Sequence, residues 1–202
     1  MVQMRDQTDW EMLGRIAEGQ AGYVTPAQAR TAGFHRNTLL HHAREEGRLE
    51  KTARGLYRLR FYPRSQFEPI AAAWVQTDPE RAVVSHESAL ELYGLSDVAP
   101  SAVHLTLPRD QRWRRPATGM RFHLPRHPLT RQEVRRIHGM PTTTPERTII
   151  DVLESGTQPE QVEQAVKEAL ARGLTTKARL RAASAERSAT TRRVLEQLIA
   201  AS

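Results

Sequence analysis

The hydrophobic pattern of the sequence changes at Gly47, from helical spacing to strand-like alternation. Residues 35–46 have the spacing of a helix, and a glycine directly after such a segment is a common helix end. Beyond it, two short strand-like runs, 48–52 and 56–60, flank a turn that contains Gly55. Two runs of this kind around a glycine-containing turn predict a β-hairpin. The start of the chain is therefore restricted to folds in which a helix leads directly into a small hairpin.

Two further short helices are predicted before this one. Asp9 can cap the first, because apolar residues recur at helical spacing behind it. These residues are Trp10, Leu13, Ile16 and Ala17. Thr25 begins the second, since a capping hydroxyl, a proline at the first helical position and Gln28 three residues after the cap form a capping box. Three short helices followed by a hairpin predict a winged helix-turn-helix, which we assign to residues 1–63.

Residues 64–202 are predicted to form a second domain. The segment from Tyr62 to Ser65 marks the boundary, and an amphipathic helix follows from Phe67. Beyond it the pattern predicts short strands and then helices from Thr144 to the end of the sequence. The predicted strands are 82–84, 103–107, 120–124, 134–137 and 140–143. The expected fold class is α+β, with an N-terminal winged helix-turn-helix followed by a small mixed or antiparallel sheet and several helices.

The formal net charge of +7 favours partners that carry phosphate. Nine arginines and only two acidic residues lie between positions 109 and 136, so this segment alone accounts for the whole excess. Arg112, Arg114 and Arg115 surround Trp113 within it and are a candidate surface for nucleic acid or a protein partner. The alternative, a solvated basic loop between two strands, stays open.

The third predicted helix has the features of a DNA recognition helix. Its N-terminal residues would face base edges in the major groove, where Arg suits guanine and Asn suits adenine. Thr38, with the helix N-terminus, can hold a phosphate, and the hairpin can lie along a neighbouring backbone or in the minor groove. The candidate DNA-binding residues are Arg36, Asn37, Thr38, His41 and Arg44 on the helix and Lys51 and Arg54 on the wing. The alternative is that these are ordinary solvated side chains.

Signatures of enzymes and metal sites are missing from the sequence. It has no cysteine, no phosphate-binding loop, no nucleophile elbow and no HExxH motif. The eight histidines show no spacing typical of metal ligands. The run from Ser85 to Ser88 is typical of a helix start and not of a catalytic cluster. Asp151 can pair with Arg147 one turn earlier in a helix. We therefore predict no catalytic residue, no cofactor, no metal and no enzymatic activity. The first twelve residues lack an apolar signal-peptide stretch and no segment is apolar over ~20 residues, so we expect a cytoplasmic protein without a membrane partner.

Several motifs together resemble the AbiEi-like antitoxins of type IV toxin–antitoxin systems, which are also transcriptional regulators. In the first part they are Tyr23–Thr25, Ala32–Phe34, Arg36–Leu39 and Gly55–Leu59. In the second part they are Val84–Leu90, Tyr93–Leu95, His104–Pro108 and Thr143–Asp151. The resemblance implies a winged helix that represses its own operon by binding inverted repeats of double-stranded operator DNA. A homodimer on this DNA is our expectation for the bound state. The resemblance also implies a C-terminal antitoxin and regulatory domain, residues 64–202, that counteracts a nucleotidyltransferase toxin, by direct contact or functionally.

Two other functions remain open on the sequence alone. The first is a stand-alone transcription factor without a toxin, whose second domain serves for dimerisation or sensing. The second is a metal-dependent enzyme that processes nucleic acid with Asp and Glu residues of the sheet domain. A neighbouring nucleotidyltransferase gene would favour the antitoxin, and a nuclease assay with magnesium would test the enzyme.

Overall fold

The computed structural model describes residues 8–44, 47–95, 97 and 100–202. The chain divides into two compact units, Met1–Glu80 and Arg81–Ser202. Each unit has its own buried apolar cluster.

The first unit is a winged helix-turn-helix, as predicted. Its helices are α1 (Trp10–Glu18), α2 (Pro26–Thr31), α3 (Arg36–Arg44) and α4 (Glu68–Thr77), and its strands are β1 (Tyr23–Val24), β2 (Leu49–Ala53) and β3 (Leu56–Leu59). The strands form an antiparallel sheet in the order β1-β3-β2, so the predicted hairpin is its outer part. Glu45 and Glu46, where the predicted third helix ends, lie outside the described residues.

The helix starts follow the local signals in the sequence. The Asp9 carboxylate accepts a hydrogen bond of 2.8 Å from the Met12 amide at the start of α1. Thr25 and Gln28 form the expected reciprocal capping box at the start of α2. Apolar side chains of the helices, the strands and the turn after α2 then pack in one cluster, in which Leu13, Phe34 and Leu39 are at most 1% exposed. Local capping and tertiary burial thus favour the same conformation.

The boundary of this unit differs from the one that the sequence suggests. Arg58 of β3 is fully buried, and its guanidinium donates to the carbonyl oxygens of Tyr62 and Pro63 at 2.9 Å and to Glu68 of α4 at 3.0 Å. Trp74 of α4 is also buried, and α4 contacts β1 and β3. The polar segment near residue 63 is therefore an anchored turn, and α4 belongs with the winged helix.

The second unit is an α+β domain built on a mixed sheet. Its strands are β4 (Val83–Val84), β5 (Val103–Thr106), β6 (Met120–His123), β7 (Val134–Ile137) and β8 (Met140–Thr143). They lie in the order β6-β5-β4-β8-β7. The pairs β4–β5 and β7–β8 are antiparallel, whereas β4–β8 and β5–β6 are parallel. The sequence allowed either a mixed or an antiparallel sheet, and the structure shows that the sheet is mixed.

Helices supply most of the core of this unit. They are α5 (His86–Tyr93), α6 (Pro145–Ser155), α7 (Pro159–Ala171), α8 (Lys177–Ser184) and α9 (Ala189–Ala201). Their apolar faces meet in one cluster that includes Leu90, Ile149, Val166 and Leu195. Among the residues that the structure describes, no helix combines the length and the apolar character needed to cross a membrane.

Candidate nucleic-acid interface

Helix α3 separates its side chains cleanly between the core and the surface. Leu39 is buried, and His42 is buried with its ring 4.8 Å from that of Trp10, in an edge-on contact. Thr38 is half-buried. The exposed residues of the helix are Arg36, Asn37, His41 and Arg44, all of them sequence-predicted DNA contacts. One face of α3 thus presents hydrogen-bonding groups of the kind that read base edges.

The wing carries the other two predicted DNA contacts. Lys51 lies exposed on β2, and Arg54 lies exposed at the turn before Gly55, whose φ is +72°. The carbonyl oxygen of Arg54 accepts a hydrogen bond of 3.3 Å from the Gln76 side chain, which ties the wing tip to α4. The backbone of the wing is therefore held in place while its two cationic side chains stay exposed.

The arginine-rich segment follows β5 and includes β6, which is at the edge of the sheet order. Arg112 and Arg115 are exposed, and Trp113 between them is 68% exposed. Arg114 differs from them, because it is half-buried and donates to the Gln111 side chain at 2.6 Å. Three of these four side chains are therefore exposed, and Arg114 is exposed only in part.

An internal ion-pair network joins α6 to the short helical turn before β7. Arg147 donates to Asp151 at 2.8 Å, as the helical spacing predicts, and to Glu133 at 2.7 Å. Burial raises the pKa of Asp151 to about 6, although the charge of Arg147 opposes the shift. At neutral pH the Asp151 carboxylate is therefore ionised and paired.

A cluster of histidines in the same unit was not expected from the sequence. It joins His86 at the start of α5, His104 on β5 and His123 on β6. The rings of His86 and His123 stack at a centroid distance of 3.5 Å, and Nε2 of His123 lies 3.2 Å from Nδ1 of His104. The same Nδ1 lies 2.6 Å from Oε2 of Glu87.

The first turn of α5 is fixed against β5 by backbone and hydroxyl hydrogen bonds. The amide of Ser85 donates to the carbonyl oxygen of His104, and the amide of His104 donates to Oγ of Ser88. His86 has a φ of +53°, a conformation that residues with a β-carbon seldom adopt outside sites where the surroundings impose it. These contacts bring His86 and Glu87 up to the ring of His104.

Burial and mutual proximity set the charges in this cluster. Burial lowers the pKa of His86 to about 3, and His123 and His104 add to the shift. Burial also lowers the pKa of His123 to about 4, and His104 adds to it. Burial alone would raise the pKa of Glu87, but hydrogen bonds from His104 and Thr157 outweigh it and lower that pKa to about 2. At neutral pH two uncharged imidazoles therefore lie beside an ionised carboxylate.

The histidine cluster is formed by the pairing of strands in the folded chain, which is why the sequence did not indicate it. The sequence places His104 and His123 on separate strands of period two and His86 at a strand-to-helix junction. The parallel pairing of β5 with β6 places His104 and His123 on neighbouring strands, and the hydrogen bond from the Ser85 amide to His104 brings His86 beside them. The cluster depends on which strands are neighbours in the sheet, so the spacing of the histidines along the chain could not predict it.

Comparisons with known proteins agree with this two-unit organisation. A family model described as "Transcriptional regulator, AbiEi antitoxin" matches residues 11–60, and one described as "AbiEi antitoxin C-terminal domain" matches residues 82–201. The fold is similar to that in the crystal structure of RV2827C protein from Mycobacterium tuberculosis, with a TM-score of 0.57 and 15% sequence identity over 97% of this chain and 78% of that chain. None of the curated proteins compared with the chain matches it. The two matches together cover most of the chain and describe a regulator and antitoxin, and the chain belongs to the AbiEi antitoxin family of DNA-binding transcriptional regulators.

Proposed function

We propose that the protein represses its own operon by binding operator repeats through α3 and the wing, and that it counteracts a nucleotidyltransferase toxin encoded beside it. The observation that carries the DNA-binding part is the division of α3 into a buried face with Leu39 and His42 and an exposed face of Arg36, Asn37, His41 and Arg44. A repressor works where the chromosome is, so we place the protein in the cytoplasm.

The proposed DNA contacts divide into two kinds. Arg36 and Asn37, in the first turn of α3, read bases, and His41 and Arg44 extend this contact along the helix. Thr38, Lys51 and Arg54 contact phosphates, which fix the position of the protein on the duplex but carry no sequence information. We further propose that a homodimer binds the inverted repeats, because a two-fold DNA site matches a two-fold protein.

Replacing both Lys51 and Arg54 by alanine is expected to weaken binding about equally on operator and on unrelated DNA. Each lost phosphate contact should also reduce the slope of log K against log salt by about one unit. Fluorescence anisotropy titrations over a range of salt concentrations measure both effects. Lys167→Ala, which removes an exposed lysine from α7, is the matched control and should leave the slope unchanged. A relaxed preference at one base pair in Arg54→Ala would show instead that the wing reads bases.

The antitoxin part of the proposal concerns the second unit. We place the toxin-opposing surface at Arg112, Arg114 and Arg115, of which Arg114 is half-buried and the other two are exposed around an exposed tryptophan. Arginine and tryptophan are among the residue types that dominate binding energy in protein interfaces. Local positive charge also suits contact with an acidic surface or with nucleic acid on which a nucleotidyltransferase acts.

Co-expression with the neighbouring toxin gene tests this part through growth. The wild-type chain is expected to restore growth, and the variant with Arg112, Arg114 and Arg115 all replaced by alanine is expected to lose most of that protection. The control removes two exposed charges from helices of the same unit, Lys167 and Arg193, and should protect like the wild type. Full protection by the triple variant would remove the arginines from the proposal. Operator binding without any protection by the wild type would favour a stand-alone transcription factor.

A further inference from the structure

Three histidines from different segments converge on one point in the second unit. His86 begins α5, His104 lies on β5 and His123 lies on β6. One ring nitrogen of each lies within 4.8 Å of those of the other two. His86 and His104 are at most 7% exposed, so two of these rings are held inside the fold.

The nitrogen separations are close to those around a tetrahedral metal ion. Zinc binds imidazole nitrogen at about 2.0–2.1 Å, so the nitrogens around one tetrahedral ion lie about 3.4 Å apart. Nε2 of His123 and Nδ1 of His104 already lie 3.2 Å apart. The remaining separations, up to 4.8 Å, need to shorten by no more than about 1.5 Å to reach this geometry.

Without an ion, the hydrogen bonding within the cluster is incomplete, because a single proton is shared among three basic atoms. Nδ1 of His104 faces Nε2 of His123 at 3.2 Å and Oε2 of Glu87 at 2.6 Å. That nitrogen carries at most one proton, which cannot point at both neighbours with good geometry. A cation in its place would interact favourably with all three atoms at once.

We propose that His86, His104 and His123 bind a divalent transition-metal ion, with Zn²⁺ as the ion that suits the ligands best. Imidazole suits zinc and its neighbours in the first transition row, whereas Mg²⁺ and Ca²⁺ prefer oxygen ligands. Oε2 of Glu87, beside Nδ1 of His104, offers a fourth ligand of the carboxylate type that zinc also accepts. The site lies in the second unit, so the proposal is independent of DNA binding by α3.

The surroundings of the cluster give an ion both an entry path and a structural effect. His86 and His123 line a cavity of about 850 Å³, to which Arg147 and Asp151 also contribute. The bound ion would join α5, β5 and the edge strand β6 through side chains that are far apart in sequence. Metal binding should therefore stabilise the folded chain.

Titration of the metal-free full-length chain with ZnCl₂ tests the proposal. Isothermal titration calorimetry is expected to give one Zn²⁺ per chain, and thermal unfolding is expected to shift to higher temperature with Zn²⁺ but not with MgCl₂. His123→Gln should weaken Zn²⁺ binding at least about tenfold, and His86→Gln should do the same. His41→Gln, which changes an exposed histidine of α3, is the matched control and should bind Zn²⁺ like the wild type.

A second measurement keeps the test decisive if the cluster variants fold poorly. The stacked rings of His86 and His123 lie at an interplanar angle of 16°, so one of them must tilt to direct its nitrogen at a shared ion. One equivalent of Zn²⁺ should therefore shift the ring-nitrogen NMR signals of His86, His104 and His123 in the wild-type chain and leave that of His41 in place. Absence of Zn²⁺ binding, binding that the cluster variants retain, or shifts confined to other histidines would each overturn the proposal.

Discussion

Replacing Arg36 by alanine is expected to weaken operator binding by about 1–3 kcal/mol, and Asn37→Ala by a similar amount. Both residues are exposed in the first turn of α3, where a recognition helix faces the bases. Neither side chain belongs to the buried cluster formed by Phe34, Leu39 and their neighbours, so both variants should fold normally. Gel-shift titrations on the operator and on single-base variants of it measure the effect.

The same titrations separate base reading from general electrostatics. Arg36→Ala should relax the preference at one base pair, whereas loss of a mere surface charge would weaken binding to all sequences alike. Arg15→Ala removes an exposed arginine of α1 whose ion-pair partner is Glu11 at 3.7 Å, and it serves as the matched control. Unchanged operator affinity in both Arg36→Ala and Asn37→Ala would exclude this turn from the interface.

Replacing Arg147 by alanine is expected to lower the free energy of unfolding by about 3–5 kcal/mol, because it leaves the buried Asp151 carboxylate without its partner. Asp151 is 6% exposed, and Glu133 would lose the same guanidinium. Chemical denaturation of the full-length chain, followed by circular dichroism, measures the loss. Since the two units can unfold separately, NMR signals of residues buried in the second unit, such as Val166 and Leu195, assign the transition.

A second variant distinguishes an unpaired charge from lost packing. Adding Asp151→Leu to Arg147→Met replaces the pair by apolar side chains, and such replacements are often neutral or stabilising. The double variant should therefore recover much of the stability that Arg147→Ala loses. If it is as unstable as Arg147→Ala, the network does not act through an unpaired buried charge. Arg193→Ala, at an exposed position on α9, should leave stability within about 0.5 kcal/mol of the wild type.

Local signals account for the parts of the fold that the sequence predicts. The Asp9 cap, the Thr25–Gln28 capping box and the Gly55 turn depend on residues a few positions apart, and all of them occur in the structure. The pairing of Arg147 with Asp151 follows from helical spacing in the same way. In each case the interacting groups are neighbours along the chain, so a single sequence contains the necessary information.

Features that depend on distant residues were not predictable in this way. β1 has only two residues, Tyr23 and Val24, too few to show an alternating pattern, and pairing with β3 makes it a strand. The first unit extends to residue 80 because Arg58 reaches Glu68 across the apparent boundary.

Competition between local and distant partners explains another difference. Thr157 and Glu160 have the spacing of a capping pair, but α7 begins at Pro159 without a side-chain cap. The hydroxyl of Thr157 instead donates to Glu87 at 2.6 Å. A partner seventy positions away has replaced the local one, and the same contact helps to fix the carboxylate beside the histidine cluster.

A footprint of the full-length chain on the DNA upstream of its own operon tests directly whether α3 reads the operator. We expect two protected half-sites in inverted orientation, with centres about 10 base pairs or a multiple of that apart. A variant with both Arg36 and Asn37 replaced by alanine is expected to lose this protection while its thermal unfolding is unchanged. No protected site with a folded wild-type chain, or an identical footprint with the double variant, would contradict the claim that α3 reads the operator.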